Sequence, residues 1–132
     1  MNYWILKTEP STYSMDDLLR DKKTVWDGVK NPYALHNIRS MQKGDQLMIY
    51  HTGDEKCIVG LAETVSTAYQ DPKHADLSVI EIQAIKKFNR TVTLKEVKAD
   101  SQFKDLKLVR QPRLSVVPVP EPIWKILLKK LE

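Results

Sequence analysis

Gln46-Leu47-Met48-Ile49-Tyr50-His51-Thr52-Gly53-Asp54-Glu55-Lys56-Cys57-Ile58-Val59-Gly60-Leu61-Ala62-Glu63-Thr64-Val65 reads as two strands folded about a polar turn. Apolar and β-branched residues crowd both flanks, and Gly53-Asp54-Glu55-Lys56 between them has turn chemistry. Leu47, Ile49, Ile58 and Leu61 are the expected core contacts of this hairpin. A hairpin cannot bury its apolar face alone, so the segments on either side must extend it and cover it.

Towards the N-terminus, Tyr3 to Thr8 predicts a strand closed by Pro10. Ser14 with Asp17 three residues on predicts a capped helix running to about Arg20. Lys23 to Val29 reads as a short extended piece running into the Asp27-Gly28 turn. A second helix is expected from Pro32 or Tyr33 to Met41, ended by Lys43-Gly44-Asp45. Beyond the hairpin, Ser66 to Asp76 reads as a loop around Asp71-Pro72, and Leu77 to Phe88 as a long strand. Thr93 and Glu96 form a second capping box before a helix over Leu94 to Ala99. Leu108 to Val119 is expected to be extended, with Pro118 and Pro120 confining its end. A last helix, Glu121 to Leu131, places Ile123, Trp124, Leu127, Leu128 and Leu131 on one face. The expected fold is α+β: one domain over residues 1–132, with a curved, mostly antiparallel sheet or small β-barrel and flanking helices.

Composition narrows the function classes. With 42% hydrophobic and 29% charged residues, the chain is globular rather than disordered. No apolar run approaches the roughly 20 residues that span a bilayer, and Met1 to Lys7 is no secretory signal. The lone Cys57 can form neither an internal disulfide nor a zinc site, and it sits where a small buried residue is expected. These features place the protein in the cytoplasm, or in the nucleus if the source is eukaryotic. A net charge of +4 permits nucleic-acid binding without demanding it. There is no phosphate-cradling glycine loop and no nucleophile elbow, and His36, His51 and His74 form no metal-binding spacing. No cofactor and no metal are therefore expected.

Three stretches hold more polar and aromatic residues than a scaffold requires. Lys7-Thr8-Glu9-Pro10-Ser11-Thr12-Tyr13 leaves a core strand into a rigid turn. Trp26-Asp27-Gly28-Val29-Lys30-Asn31 puts an indole beside a turn with exposed backbone donors. Stacking on such a face contributes about 1–3 kcal/mol per base. Leu108-Val109-Arg110-Gln111-Pro112-Arg113-Leu114-Ser115 carries two guanidinium groups that could grip phosphates; if extended, it puts Arg110 and Arg113 on opposite faces. Each has a plainer reading taken singly, as an exposed turn, a core tryptophan, or two solvated arginines.

Taken in order, these segments, with Gly44-Asp45, Tyr50-His51, Val59-Gly60 and Asp71-Pro72, closely resemble the EVE domain family over residues 3 to about 124. The resemblance implies a PUA-like fold, similar in architecture to YTH domains, and a non-enzymatic reader of a modified base in DNA or RNA. The family's pocket residues carry over as Lys7, Thr8 and Glu9 at the strand end, Trp26, Asp27 and Gly28 on one wall, and Arg110 near the rim. Tyr13, Asn31, Tyr50, His51 and Arg113 are further ligand-binding candidates, and no catalytic residue is assigned. Many members read Tyr-Gln-Ala-Arg-Asn after this asparagine, where the present chain has Pro32-Tyr33-Ala34-Leu35-His36; an aromatic is also frequent where Met15 stands.

Two alternatives stand beside this one. Related PUA-like amidohydrolases acting on acylated cytidine use a Lys, a Thr and a Glu together, which Lys7-Thr8-Glu9 invites. In a strand, however, Lys7 and Glu9 share a face and Thr8 points away. A protein-interaction module would rest on the Trp124 helix, whose apolar face is expected to be core.

Overall fold

The computed structural model describes residues 1–132. Seven strands form one mixed sheet: β1 (Tyr3–Thr8), β2 (Lys23–Trp26), β3 (Gln46–His51), β4 (Cys57–Thr64), β5 (Tyr69–Gln70), β6 (Ser78–Thr93) and β7 (Val116–Pro118). Their order is β2-β6-β4-β3-β1-β7, with β5 hydrogen-bonded to β6 beside this path. Every pairing is antiparallel except β1 with β3, whose parallel register runs from Tyr3 opposite Gln46 to Thr8 opposite His51. The helices are α1 (Met15–Asp21), α2 (Pro32–Ser40), α3 (Leu94–Ala99), α4 (Lys107–Arg110) and α5 (Glu121–Leu131). None is long and apolar enough to cross a membrane.

The hairpin forms as its sequence predicts, β3 against β4, with register irregularities at Ile49/Tyr50 that bend it. Asp45, at the entry to β3, is buried and ties three segments together. Its carboxylate accepts from the Asn2 amide, the Trp4 indole N–H and the Gln42 amide. That network fixes the start of β1 beside the start of β3. Gly60 in β4 faces α1: a Cβ there would run into the Met15 side chain, itself fully buried. Trp124, Leu127 and Leu131 of α5 are core, as is Cys57, whose thiol pKa is raised by burial and by the nearby Glu55 and Glu96 carboxylates.

The sheet is curved but open, so the strands do not close into a barrel. β2 lies at one edge and β7 at the other. Helix α2 packs against both β6 and β7, although those strands are far apart in the sheet order. The Asn37 amide nitrogen donates to the Val116 carbonyl of β7 at 2.8 Å. Arg39 donates to the Ser78 hydroxyl of β6 at 2.8 Å and to the Asp76 carbonyl at 3.1 Å. The helix thus bridges β6 and the edge strand β7, and its Asn37 satisfies a β7 backbone carbonyl.

Three expectations need correction. Strand β6 continues past Phe88 to Thr93, because Lys86 to Thr93 pair with Leu61 to Cys57 across one register shift; the polar residues lie on its exposed face. The loop after β4 contains the short strand β5, paired to β6 at Val79 and Ser78. Leu108 to Val119 is not one strand. Its first part is α4, with Arg110 and Gln111 amides bonded to the Leu106 and Lys107 carbonyls, and only Val116–Pro118 joins the sheet. Beyond the Lys7 amide bond to the Ser115 carbonyl, the segment before β7 has no strand to pair with, so its backbone is satisfied locally.

Candidate nucleic-acid interface

Where β2 and the approach to β7 face each other lies a recess of about 570 Å³. That volume suits a small planar ligand. Lys7, Thr8 and Glu9 enter from the end of β1, and Thr12 and Tyr13 from the turn before α1. Thr24, Val25 and Trp26 come from β2, Asp27 to Lys30 from the loop after it, and Ser115 from the residue before β7. Two motifs distant in sequence therefore face one space.

Trp26 is 9% exposed: its body is core, and what remains open forms a wall of the recess. Tyr13 meets it edge-on, ring centroids 6.3 Å apart at 81°. The Tyr13 hydroxyl donates to Asp21 at 2.9 Å. Burial first, opposed by Thr24 and reinforced by Asp21, raises its pKa and keeps the phenol neutral. The loop Asp27 to Lys30 is unlike the rest of the wall. Gly28 has φ +74°, and a Cβ there would meet nothing within 4 Å. The amides of Gly28, Val29 and Lys30 find no acceptor in the chain, and the Asp27 carboxylate has neither an ion-pair nor a hydrogen-bond partner. An open recess thus presents an aromatic wall, unengaged backbone donors and an unengaged acceptor.

The residues of β1 are committed differently. The Lys7 ammonium donates to the Pro112 carbonyl at 3.0 Å and stands 5.7 Å from the Tyr50 ring centroid; burial lowers its pKa. The Thr8 hydroxyl donates to the Tyr13 carbonyl at 2.8 Å. The Glu9 carboxylate accepts from the Ser11 amide and hydroxyl, which hold its pKa below the usual value. Each side chain is held by a different partner.

Seven of the residues singled out by sequence line the recess: Lys7, Thr8, Glu9, Tyr13, Trp26, Asp27 and Gly28. The other five do not. Asn31 caps α2, its side-chain oxygen accepting from the Tyr33 and Ala34 amides. Tyr50 and His51 are buried in the core. His51 Nε2 accepts from the Met15 amide at 3.0 Å, so its proton sits on Nδ1, 3.0 Å from Glu55. Arg110, on α4 rather than a strand, lies beside Asp105 at 3.7 Å and is not among the residues lining the recess. Arg113 lines a neighbouring hollow with Asn31. Thr12, Thr24, Val25, Val29, Lys30 and Ser115 join the recess. Of these, Thr12, Val29, Lys30 and Ser115 fall in stretches the sequence already marks, whereas Thr24 and Val25 become visible only once β2 is placed.

The EVE domain family model matches residues 2–130. The chain belongs to the EVE domain family. Among curated proteins, this EVE domain is 29% identical to thymocyte nuclear protein 1 of Rattus norvegicus over 163 residues, covering 96% of this chain and 72% of the relative. Its fold matches that of Rpa0253 from Rhodopseudomonas palustris with a TM-score of 0.94 and 36% identity, covering 99% of this chain and 93% of the other. It also matches human THYN1 in complex with 5-methylcytosine-containing DNA, at TM-score 0.92 and 24% identity, covering 100% and 98% of the two chains.

Proposed function

We propose that this EVE domain binds DNA and reads a modified cytosine, held in the recess against Trp26, without turning it over. The observation that carries the reading is the meeting, in one open recess, of an aromatic wall, the free amides of Gly28, Val29 and Lys30, and the unpartnered Asp27 carboxylate. The pyrimidine edge of cytosine offers a complementary set: an amino donor for Asp27, and ring nitrogen and carbonyl acceptors for the amides. The human relative's complex with 5-methylcytosine-containing DNA supports the same ligand class. A base within a stacked duplex cannot lay its face and edge against the walls of a recess, so the target is single-stranded or extruded. A methyl group adds only modest apolar contact, so preference for the modified base is expected to be tens-fold.

The separate engagements of Lys7, Thr8 and Glu9 support binding over catalysis: each side chain is held by a partner of its own and none is bonded to another. Incubation with acylated cytidine followed by product analysis tests this directly, and turnover would replace the reader with a hydrolase. The reader itself is tested by titrating short single strands that differ in one base: plain, methylated or hydroxymethylated cytosine, or methylated adenine. One modified strand should bind clearly tighter, and Trp26→Ala should erase that preference while leaving weaker, salt-sensitive binding. Equal preference in that variant would remove Trp26 from the site.

A further inference from the structure

Beside the recess lies a second hollow of about 370 Å³, lined by Asn31, Tyr33, Gln111, Pro112, Arg113 and Leu114. The two are adjacent by construction. Lys30 lines the first and Asn31 the second; Ser115 lines the first and Leu114 the second. The Lys7 ammonium, a wall of the recess, is bonded to the Pro112 carbonyl, a wall of the hollow. Tyr33 stands here at 39% exposure, one of two exposed aromatic residues with Tyr69. The Lys107 ammonium lies 5.9 Å from its ring centroid. Ion pairs occupy Arg110, Lys125 and Lys130, but none engages Lys30, Lys107 or Arg113 around the hollow.

We infer that this hollow is a subsite for the nucleotide next to the one in the recess, with its base stacked on Tyr33 and its phosphate held by Arg113, Lys30 and Lys107. The inference rests on the proposed reading of the recess and extends it from a base to a strand. Stacking on an exposed ring suits any base, since each has a π-face, while the unpaired cations neutralise backbone charge; the subsite therefore adds affinity without reading sequence.

The test uses the full chain and labelled single strands carrying cytosine or 5-methylcytosine at one position, with an abasic site placed on its 5′ side, its 3′ side or neither. Fluorescence anisotropy reads the affinity. An abasic site on one side should weaken binding by about fivefold to a hundredfold, the range that base–aromatic stacking supports, and on the other side far less. Tyr33→Ala should make intact and abasic strands bind alike, and Tyr33→Trp should keep them distinct. Indifference to both abasic positions in the unsubstituted protein, or an abasic effect that survives Tyr33→Ala, would overturn the subsite. The methylcytosine-to-cytosine ratio from the same strands reports on the recess alone, so loss of that preference would sink the base reading and leave the abasic comparison standing.

Discussion

Asp27 is the residue on which base identity turns. It lies at the head of the loop whose amides are unpaired, and its carboxylate is the acceptor that an exocyclic amine would meet. Thymine presents a carbonyl oxygen where cytosine presents the amino group, so it would set an acceptor against the carboxylate. Asp27→Asn supplies a carboxamide that can turn its NH2 towards thymine. The expected outcome is that this variant loses most of its discrimination between cytosine and thymine strands, a loss of about 1–3 kcal/mol for one specific base contact. Paired titrations with the two strands measure it, and discrimination that survives the substitution would assign the contact to another group. His51 shows how a conspicuous residue can belong to the scaffold instead: its ring is engaged on both nitrogens and holds the first amide of α1 in place.

At the scale of elements, α1 and β4 depend on each other through Gly60 and Met15. Gly60→Ala places a methyl group where the buried Met15 side chain already lies. The variant is expected to lose about 1–3 kcal/mol, as over-packed cores do, seen as a lower urea midpoint with an unchanged denaturant slope. Elements set by local chemistry are the ones that sequence exposes. Ser14 with Asp17, and Thr93 with Glu96, each form the reciprocal bonds of a capping box at the helix starts their spacing predicts. Asn31 and Pro32 likewise open α2. Helix α4 escapes because Leu108, Val109 and the prolines carry an extended signature, whereas the Arg110 and Gln111 amides close local bonds onto the Leu106 and Lys107 carbonyls. Arg110 belongs to that helix and is not among the residues that line the recess. Lys7, Trp26 and Gly28 could be marked from their motifs, but Thr24 and Val25 could not, since only the pairing of β2 with β6 brings them to the same wall.

Over the whole molecule, six of the 21 basic side chains face acidic ones: Arg20, Lys86, Lys87, Arg110, Lys125 and Lys130. Lys30 and Arg113, beside the recess and hollow, are among those that do not. If those two meet phosphates, changing either to glutamine should weaken binding to every single strand by a similar factor. It should also reduce the slope of log affinity against log salt by roughly 0.7, the value for one phosphate contact on a single strand. Preference for the modified base should stay where it was; a changed preference would move these cations from the backbone to the base. The recess is also assembled from parts of the chain that lie far apart, since the bond between Lys7 and Pro112 spans 105 positions. Its walls exist together only when β1, β2 and β7 are all in place, so anything that occupies it has affinity for the native state and almost none for the unfolded chain. Occupancy therefore registers as heat resistance of the entire protein. At a concentration a hundred times the dissociation constant, a ligand adds about 2.7 kcal/mol, which raises the melting temperature by several degrees and lets a melting curve rank nucleosides before any strand is synthesised.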